Sequence, residues 1–312
     1  IITFVGGQGM VVLAIMFLPK QTQGAYKMYV GEGKDVELVP NAKHTTKLIW
    51  QISLLYFAVG TFVFWIDGMF IGLNPLSSLY HAACIFAAAW STGGFSPMSQ
   101  NILYYHSFSY EIITIIFFML GTLNFGFHYS VWKGNKKEIY KNIEIQTIFV
   151  TIMITSFFTV KGLTMLNVYP DAISIFRKGV YGLLSAHTTT GFMTVYARQF
   201  ALEWGNFAIL IMIIAMLLGG CACSTAGGVK ALRIGIVFKG LMADIKKSLV
   251  SERRVKVFKF HHLKEQVLDG DVVKSSAIII LLYMMLFLIG TMIGCYYGYP
   301  LLDSAFESAS IS

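Results

Sequence analysis

Residues Trp90–Pro97 read "WSTGGFSP", directly after the apolar run Leu79–Trp90, and Leu183–Thr194 read "LLSAHTTTGFMT", closing the run Ala172–Ala186. Both runs are short. Leu79–Trp90 is about 12 residues, some 18 Å at helical rise, whereas a bilayer crossing takes about 20 residues. Both stop on Thr-x-Gly-Phe: Thr92-Gly93-Gly94-Phe95 and Thr189-Thr190-Gly191-Phe192. Why an apolar chain halts a short helix twice on the same turn decides the fold.

Around these turns the chain is apolar throughout: 56% of its 312 residues are hydrophobic and 13% are charged, with mean hydropathy +0.65. Soluble domains average roughly 25% charged residues, so lipid is the natural solvent for much of this chain. Candidate spans are Leu48–Ile66, Ile112–Val131, Ile148–Leu166, Phe207–Gly220 continuing to Val237, and Ala277–Tyr297. Ile1–Leu18 reads as the rear of another span, because it lacks the basic start and small-residue cleavage site of a signal peptide. The chain is therefore expected to be a piece of a longer protein.

The net charge of +8 does not point to nucleic acid, because of where the charges sit. The loops Pro19–Thr46, Trp132–Gln146 and Gly228–Asp271 hold 4, 4 and 10 of the 24 Lys and Arg residues, and Gly68–His106 holds none. That asymmetry follows the positive-inside rule and places the three loops in the cytoplasm. Lys161, Arg177, Lys178 and Arg198 fall on the outer side against the trend. The cysteines (Cys84, Cys221, Cys223, Cys295) lie in apolar segments without ligand spacing, and are read as small buried thiols with no metal.

The loops then fix a repeat of helix, half-helix, turn, helix. Leu48–Ile66 runs outward and Ile112–Val131 inward, so the half-helix between them must enter from outside and return extended. Ile148–Leu166, Ala172–Ala186 and Phe207 onward repeat the plan, and Ala277–Tyr297 with "LLDSAFESASIS" begins it again. The predicted fold class is an all-α polytopic membrane protein of tandem parallel repeats with pseudo-fourfold symmetry. Residues 1–46 form the inner helix and loop of repeat 1. Residues 47–146 form repeat 2 with its turn at 91–96, and 147–271 repeat 3 with its turn at 188–192. Residues 272–312 start repeat 4. On this register Cys84, Tyr181 and Phe306 are equivalent.

Extended backbone at mid-membrane depth survives only when buried in protein or lining a wet path. Glycine in the turn admits positive φ, letting successive carbonyls face one way. Rings of such carbonyls replace the hydration shell of a monovalent cation, as the longer T-V-G-Y-G does in potassium channels. Half-helices aiming their C-terminal ends at one centre favour the same charge. Either turn alone reads as an ordinary glycine loop; two in register, between charge-oriented spans, read as filter strands holding K+ at Thr92, Gly93, Gly94, Thr189, Thr190 and Gly191.

At this point the sequence resembles the Trk/Ktr/HKT superfamily of potassium and sodium translocating subunits, most nearly its bacterial TrkH type. "GGQGMVVLAIMFLP", "LVPNAKHTTKLIW", "STGGFSP", "TTTGF", "GTLNFGFHYSVWKG" (with Asn124 and His128 on one helical face) and "DSAFESAS" carry the likeness along the whole chain. The most specific is Gly219–Lys230, "GGCACSTAGGVK", against the family's G-G-[CS]-[AS]-G-S-T-A-G-G-[IV]-K, with Cys223 in place of a usual Gly. By physics alone this small-residue run is either a hinge or a close-packing stripe. By resemblance it is an intramembrane gating loop, Gly219, Gly220, Ser224, Thr225, Gly227 and Gly228 included, with Lys230 and Arg233 capping its cytoplasmic end. The resemblance also implies potassium uptake across a bacterial inner membrane, a homodimer, and a cytosolic nucleotide-binding regulatory ring of TrkA/KtrA type.

Remaining candidates read more plainly. His81 and His187 are taken as polar anchors of the half-helices, and His261 and His262 as solvated residues of the basic loop. Asp303 and Glu307 either draw cations to the outer mouth or pack as polar groups. No catalytic motif appears, so an enzyme is not expected and no cofactor is implied beyond K+ as the transported ion. A secondary transporter with a broken-helix ion site, Na+ coupled or Na+ selective, is the alternative.

Overall fold

The computed structural model describes residues 2–8, 42–249 and 258–311, with side chains from residue 47 onward in the helix that begins at Ala42. The rest of the Ile1–Leu18 stretch, the first basic loop with Lys20, Lys27 and Lys34, and Arg253, Arg254 and Lys256 lie outside the described residues.

Among the described residues, three helices are long and apolar enough to cross a membrane: Lys47–Phe70, within the helix Ala42–Phe70, Ile143–Met165 and Gly270–Tyr296. Only 6% of the apolar window of Gly270–Tyr296 is buried, so its rows of Leu, Ile and Met need a non-aqueous surrounding. Two bent pairs pass the same test as single spans: Phe108–Thr122 with Phe125–Trp132, bent by 99°, and Ala197–Glu203 with Gly205–Leu218, bent by 119°.

Between the spans lie the short helices. The first half-helix runs Pro75–Trp90, one turn longer at its start than its apolar run. Asn74 caps it through Leu76 N (3.3 Å), and Pro75 takes the first helical position, where a missing N–H costs nothing. It lies between Ala42–Phe70 and Phe108–Thr122. Its final turns, Ile85 to Trp90, are buried, and Phe86 and Trp90 stack. The second half-helix is less regular: Ala172–Ser174, a wide π turn over Ile175–Val180, then Tyr181–His187. Asp171 caps it, and the hydrogen bonds from Ser174 hold the Asp171 carboxyl below the usual carboxylate range. A third, Leu301–Ile311, packs against Gly270–Tyr296 and Gly205–Leu218.

Three expectations need correction. The chain is not wholly α-helical: Lys259–His262 and Lys264–Val267 form an antiparallel hairpin in the basic loop. Ile112–Val131 is not one straight span but breaks at Leu123–Asn124, so Asn124 caps the second segment through Gly126 N (2.7 Å) instead of sharing a helical face with His128. The helix entered at Gly205 ends at Leu218 and resumes only as Ala231–Ser248, past Val237. The two breaks have one cause, described next.

Candidate functional site

Both Thr-x-Gly turns begin as the same helix cap. Thr92 and Thr189 are left-handed (φ 49° and 55°), as are Gly94 and Gly191 (φ 65° and 86°). The hydrogen bonds repeat position for position. Thr92 N donates to Ala89 O (3.1 Å) and Gly93 N to Ala88 O (2.8 Å), while Thr189 N donates to Ala186 O (2.9 Å) and Thr190 N to Ser185 O (2.8 Å). Bonds reaching back three and five residues around one left-handed residue make a Schellman cap. Glycine normally takes that residue's place, and a β-branched Thr there carries local strain. The hydroxyls preceding each cap match too: Ser91 Oγ donates to Ala87 O (2.7 Å) and Thr188 Oγ1 to Leu184 O (2.8 Å).

The turns meet. A Cβ on Gly94 would run into the carbonyl oxygen of Thr190 and the backbone of Gly191, so the first turn passes the second at a distance only glycine allows. Asn101 stitches them from beyond: its Nδ2 donates to Gly94 O (2.9 Å), and its Oδ1 accepts from Met193 N (3.5 Å). The Gly94 carbonyl is thus already engaged by a side chain, which the sequence did not suggest. Beside the first turn, the helix Ile2–Gln8 brings Thr3 against Gly93 and Gly7 against Ser91. The two phenylalanines part company: Phe192 is buried in the core around Phe86 and Trp90 of the first half-helix, whereas Phe95 is 68% exposed.

Residues 219–230 form a pinched loop beneath both turns. Its ends touch, since a Cβ on Gly219 would meet Gly227 O and Gly228 Cα, and both Gly219 and Gly228 have positive φ (65° and 76°). Thr225 Oγ1 lies within hydrogen-bond distance of Trp90 O (3.0 Å), Gly121 O (2.9 Å) and Thr92 Oγ1 (3.3 Å). Gly227 N donates to Thr189 Oγ1 (2.7 Å). Ser224 Oγ turns inward to Cys221 O (2.7 Å), and Gly220 N donates to Gly227 O (3.3 Å). Thr92, Thr189, Gly191, Thr225 and Gly227, with the end of the third half-helix, line a cavity of about 260 Å³.

The same loop explains the break at Leu123–Asn124. Cys221 N donates to Thr122 O (3.1 Å), and Phe125 N donates to Cys223 O (3.3 Å). Backbone groups freed by one broken helix are satisfied by the other, which is how a membrane protein tolerates interrupted helices. Lys230 does not simply cap the cytoplasmic end: its Nζ folds back onto Ala226 O inside the loop. Arg233 lines a neighbouring cavity.

The histidines divide. His81 Nδ1 bonds the Tyr105 hydroxyl (2.9 Å) and His187 Nε2 the Thr151 hydroxyl (2.8 Å), as anchors of the half-helices should. His262 is not solvated, contrary to expectation: it is 5% exposed and reaches Glu144 Oε2 (3.0 Å), while His261, partly exposed, reaches Glu138 Oε1 (2.8 Å). Both carboxylates are at 0% exposure, yet in sequence they sit in a basic loop and look like ordinary charge balance. Cys221 and Cys223 are buried, but Cys295 is exposed. Asp303 and Glu307 line a mostly apolar groove with Gly290 and Gly294. Among the described residues no group of three metal-ligating side chains comes together.

A chain of long apolar helices, with short ones ending in paired Thr-x-Gly turns over a glycine-rich loop, has the build of a membrane protein. It belongs to the TrkH family, described as cation transport proteins, whose profile matches residues 1–311. It is 28% identical over 277 residues to the Trk system potassium uptake protein TrkH of Vibrio parahaemolyticus, covering 85% of this chain and 54% of that protein. The Escherichia coli TrkH is 28% identical over 272 residues, with the same two coverages. An uncharacterised cation transporter of Methanocaldococcus jannaschii is 27% identical over 310 residues, 99% of this chain and 59% of that one. The crystal structure of the potassium transporter TrkH from Vibrio parahaemolyticus superposes with a TM-score of 0.74 at 23% identity, over 99% of this chain and 60% of its own. The chain thus spans little more than half the length of these relatives.

Proposed function

We propose that this chain forms much of a potassium-translocating pore subunit of the cell membrane, that of a bacterial inner membrane, in which the Thr92–Phe95 and Thr189–Phe192 turns are two of four filter strands and residues 219–228 are the gate. One observation carries the reading: the same left-handed Thr-x-Gly cap occurs twice, the two turns touch, and one glycine-rich loop is hydrogen-bonded to both. Main-chain oxygens there stand in for the water shell of a monovalent cation. The relatives' names, potassium uptake proteins, give the ion.

In this reading parallel repeats about a pseudo-fourfold axis supply the symmetry such a ring needs, and the short helix Leu301–Ile311 is the half-helix of a further repeat. On the same reading the loop, bonded to both turns, lies across the path of an ion leaving them. Homodimerisation and control by a cytosolic nucleotide-binding ring belong to the same proposal, and rest on the family resemblance. Chemistry on a bound substrate has no part in it. The test is potassium uptake by the full-length protein in a bacterium stripped of its own uptake systems. Growth at low K+ that disappears when residues 219–230 are intact but both turns are replaced by Ala-Ser linkers supports the reading. Equal growth of the two strains contradicts it.

A further inference from the structure

Glu144 has 0% exposure at the start of the helix Ile143–Met165, and its carboxylate is held by three separate parts of the chain. Oε1 accepts from Ala222 N (2.7 Å) in the intramembrane loop. Oε2 accepts from Asn124 Nδ2 (3.3 Å) at the broken helix, and bonds His262 Nε2 (3.0 Å) of the hairpin. Its own amide is capped by Asn142 Oδ1 (2.9 Å), placing the carboxylate at a helix N-terminus.

We propose that Glu144 is a positioning residue that latches the 219–230 loop, and that the Lys259–Val267 hairpin is the cytoplasmic lever of that latch. The physical ground is the cost of a buried carboxylate. It is tolerated only while its oxygens are fully hydrogen-bonded, and losing one donor leaves charge stranded in a water-poor site. The loop, the helix break and the hairpin therefore share one acceptor, and moving any of them raises the free energy of the arrangement that holds the others. Glu138 makes a second, parallel contact: its oxygens bond His261 Nε2 (2.8 Å) and Asn142 Nδ2 (3.4 Å). The hairpin thus grips both carboxylates through adjacent histidines. A force on the hairpin from the cytoplasm reaches Ala222 through one side chain.

The latch rests on the reading of residues 219–228 as the gate, but its own test does not. Cys221 and Cys223 flank Ala222 and are buried, at 0% and 6% exposure. Their alkylation by a small maleimide in the intact membrane protein, located by peptide mass spectrometry, reports opening of the loop, and potassium efflux from liposomes reports flux. Glu144→Ala is expected to speed alkylation about tenfold or more, the loss of one charge-assisted hydrogen bond. Glu144→Gln keeps an acceptor for Ala222 N–H but loses the charge and one acceptor oxygen, and should fall between the parent and Glu144→Ala. His262→Ala should speed alkylation about fivefold, less than Glu144→Ala because Ala222 N–H keeps its own acceptor. Faster alkylation with faster efflux supports latch and gate together. Faster alkylation with unchanged efflux supports the latch and contradicts the gate. Unchanged alkylation in Glu144→Ala overturns the latch whatever the efflux, and should that variant fail to fold, unchanged alkylation in His262→Ala overturns it instead.

Discussion

A methyl group added at Gly94 has nowhere to go. It would meet the Thr190 carbonyl and the Gly191 backbone, neither of which can yield without moving the second turn. Gly94→Ala should therefore lower stability by about 1–3 kcal/mol, the range for overpacking a close contact, read as a drop in the melting temperature of the detergent-solubilised protein. At Gly191 a Cβ finds nothing within 4 Å, and only its φ of 86° resists substitution. Gly191→Ser should fold yet shift the preference for K+ over Na+, seen as a changed uptake ratio in potassium-starved cells; an unchanged ratio counts against a carbonyl strand there. Further out, Arg177 grips Glu111 through both oxygens (2.9 and 2.7 Å), with Glu111 5% exposed. Arg177→Ala strands a buried carboxylate where the second half-helix meets Phe108–Thr122, and should cost about 1–3 kcal/mol in the same melt.

At the scale of elements, the loop 219–230 is the piece whose removal says most. Deleting residues 221–226 should raise ion flux in liposomes, and Thr225→Ala should raise it less, since the hydroxyl near Trp90 O and Gly121 O is one contact among several. Equal flux in the deletion and the parent would mean that the loop does not obstruct the path. The two turns were legible in sequence because their cause is local: an apolar run that stops, a hydroxyl residue, a glycine two positions on. The glycine-rich loop was legible for the same reason. The break at Leu123–Asn124 was not, because nothing in "GTLNFG" forbids a helix; it is made by Cys221 and Cys223 from about a hundred residues away. The hairpin was missed for a related reason: "KFHHLKEQV" is polar and short, and becomes a strand pair only when His261 and His262 find buried carboxylates.

For the molecule as a whole, charge asymmetry and hydropathy led to a mostly helical membrane protein, and the family and the TM-score of 0.74 agree with that. What hydropathy could not convey is how little of the long helices is buried: 28% of the apolar window in Lys47–Phe70 and in Ile143–Met165, and 6% in Gly270–Tyr296. The interior is instead built by the half-helices and their turns, whose Trp90, Tyr181 and Phe192 are almost fully enclosed. A cytosolic nucleotide-binding ring should co-purify with the full-length protein through the basic loop around the hairpin, and replacing Lys239, Lys246 and Lys247 with Glu should weaken that capture; undiminished capture would place the partner elsewhere. The most direct measurement is anomalous diffraction from crystals of the full-length protein soaked in Rb+. The account predicts a peak between the two turns, within coordination distance of main-chain oxygens of residues 92–94 and 189–191. Rubidium bound elsewhere in the membrane region, with no peak between those turns, would contradict it.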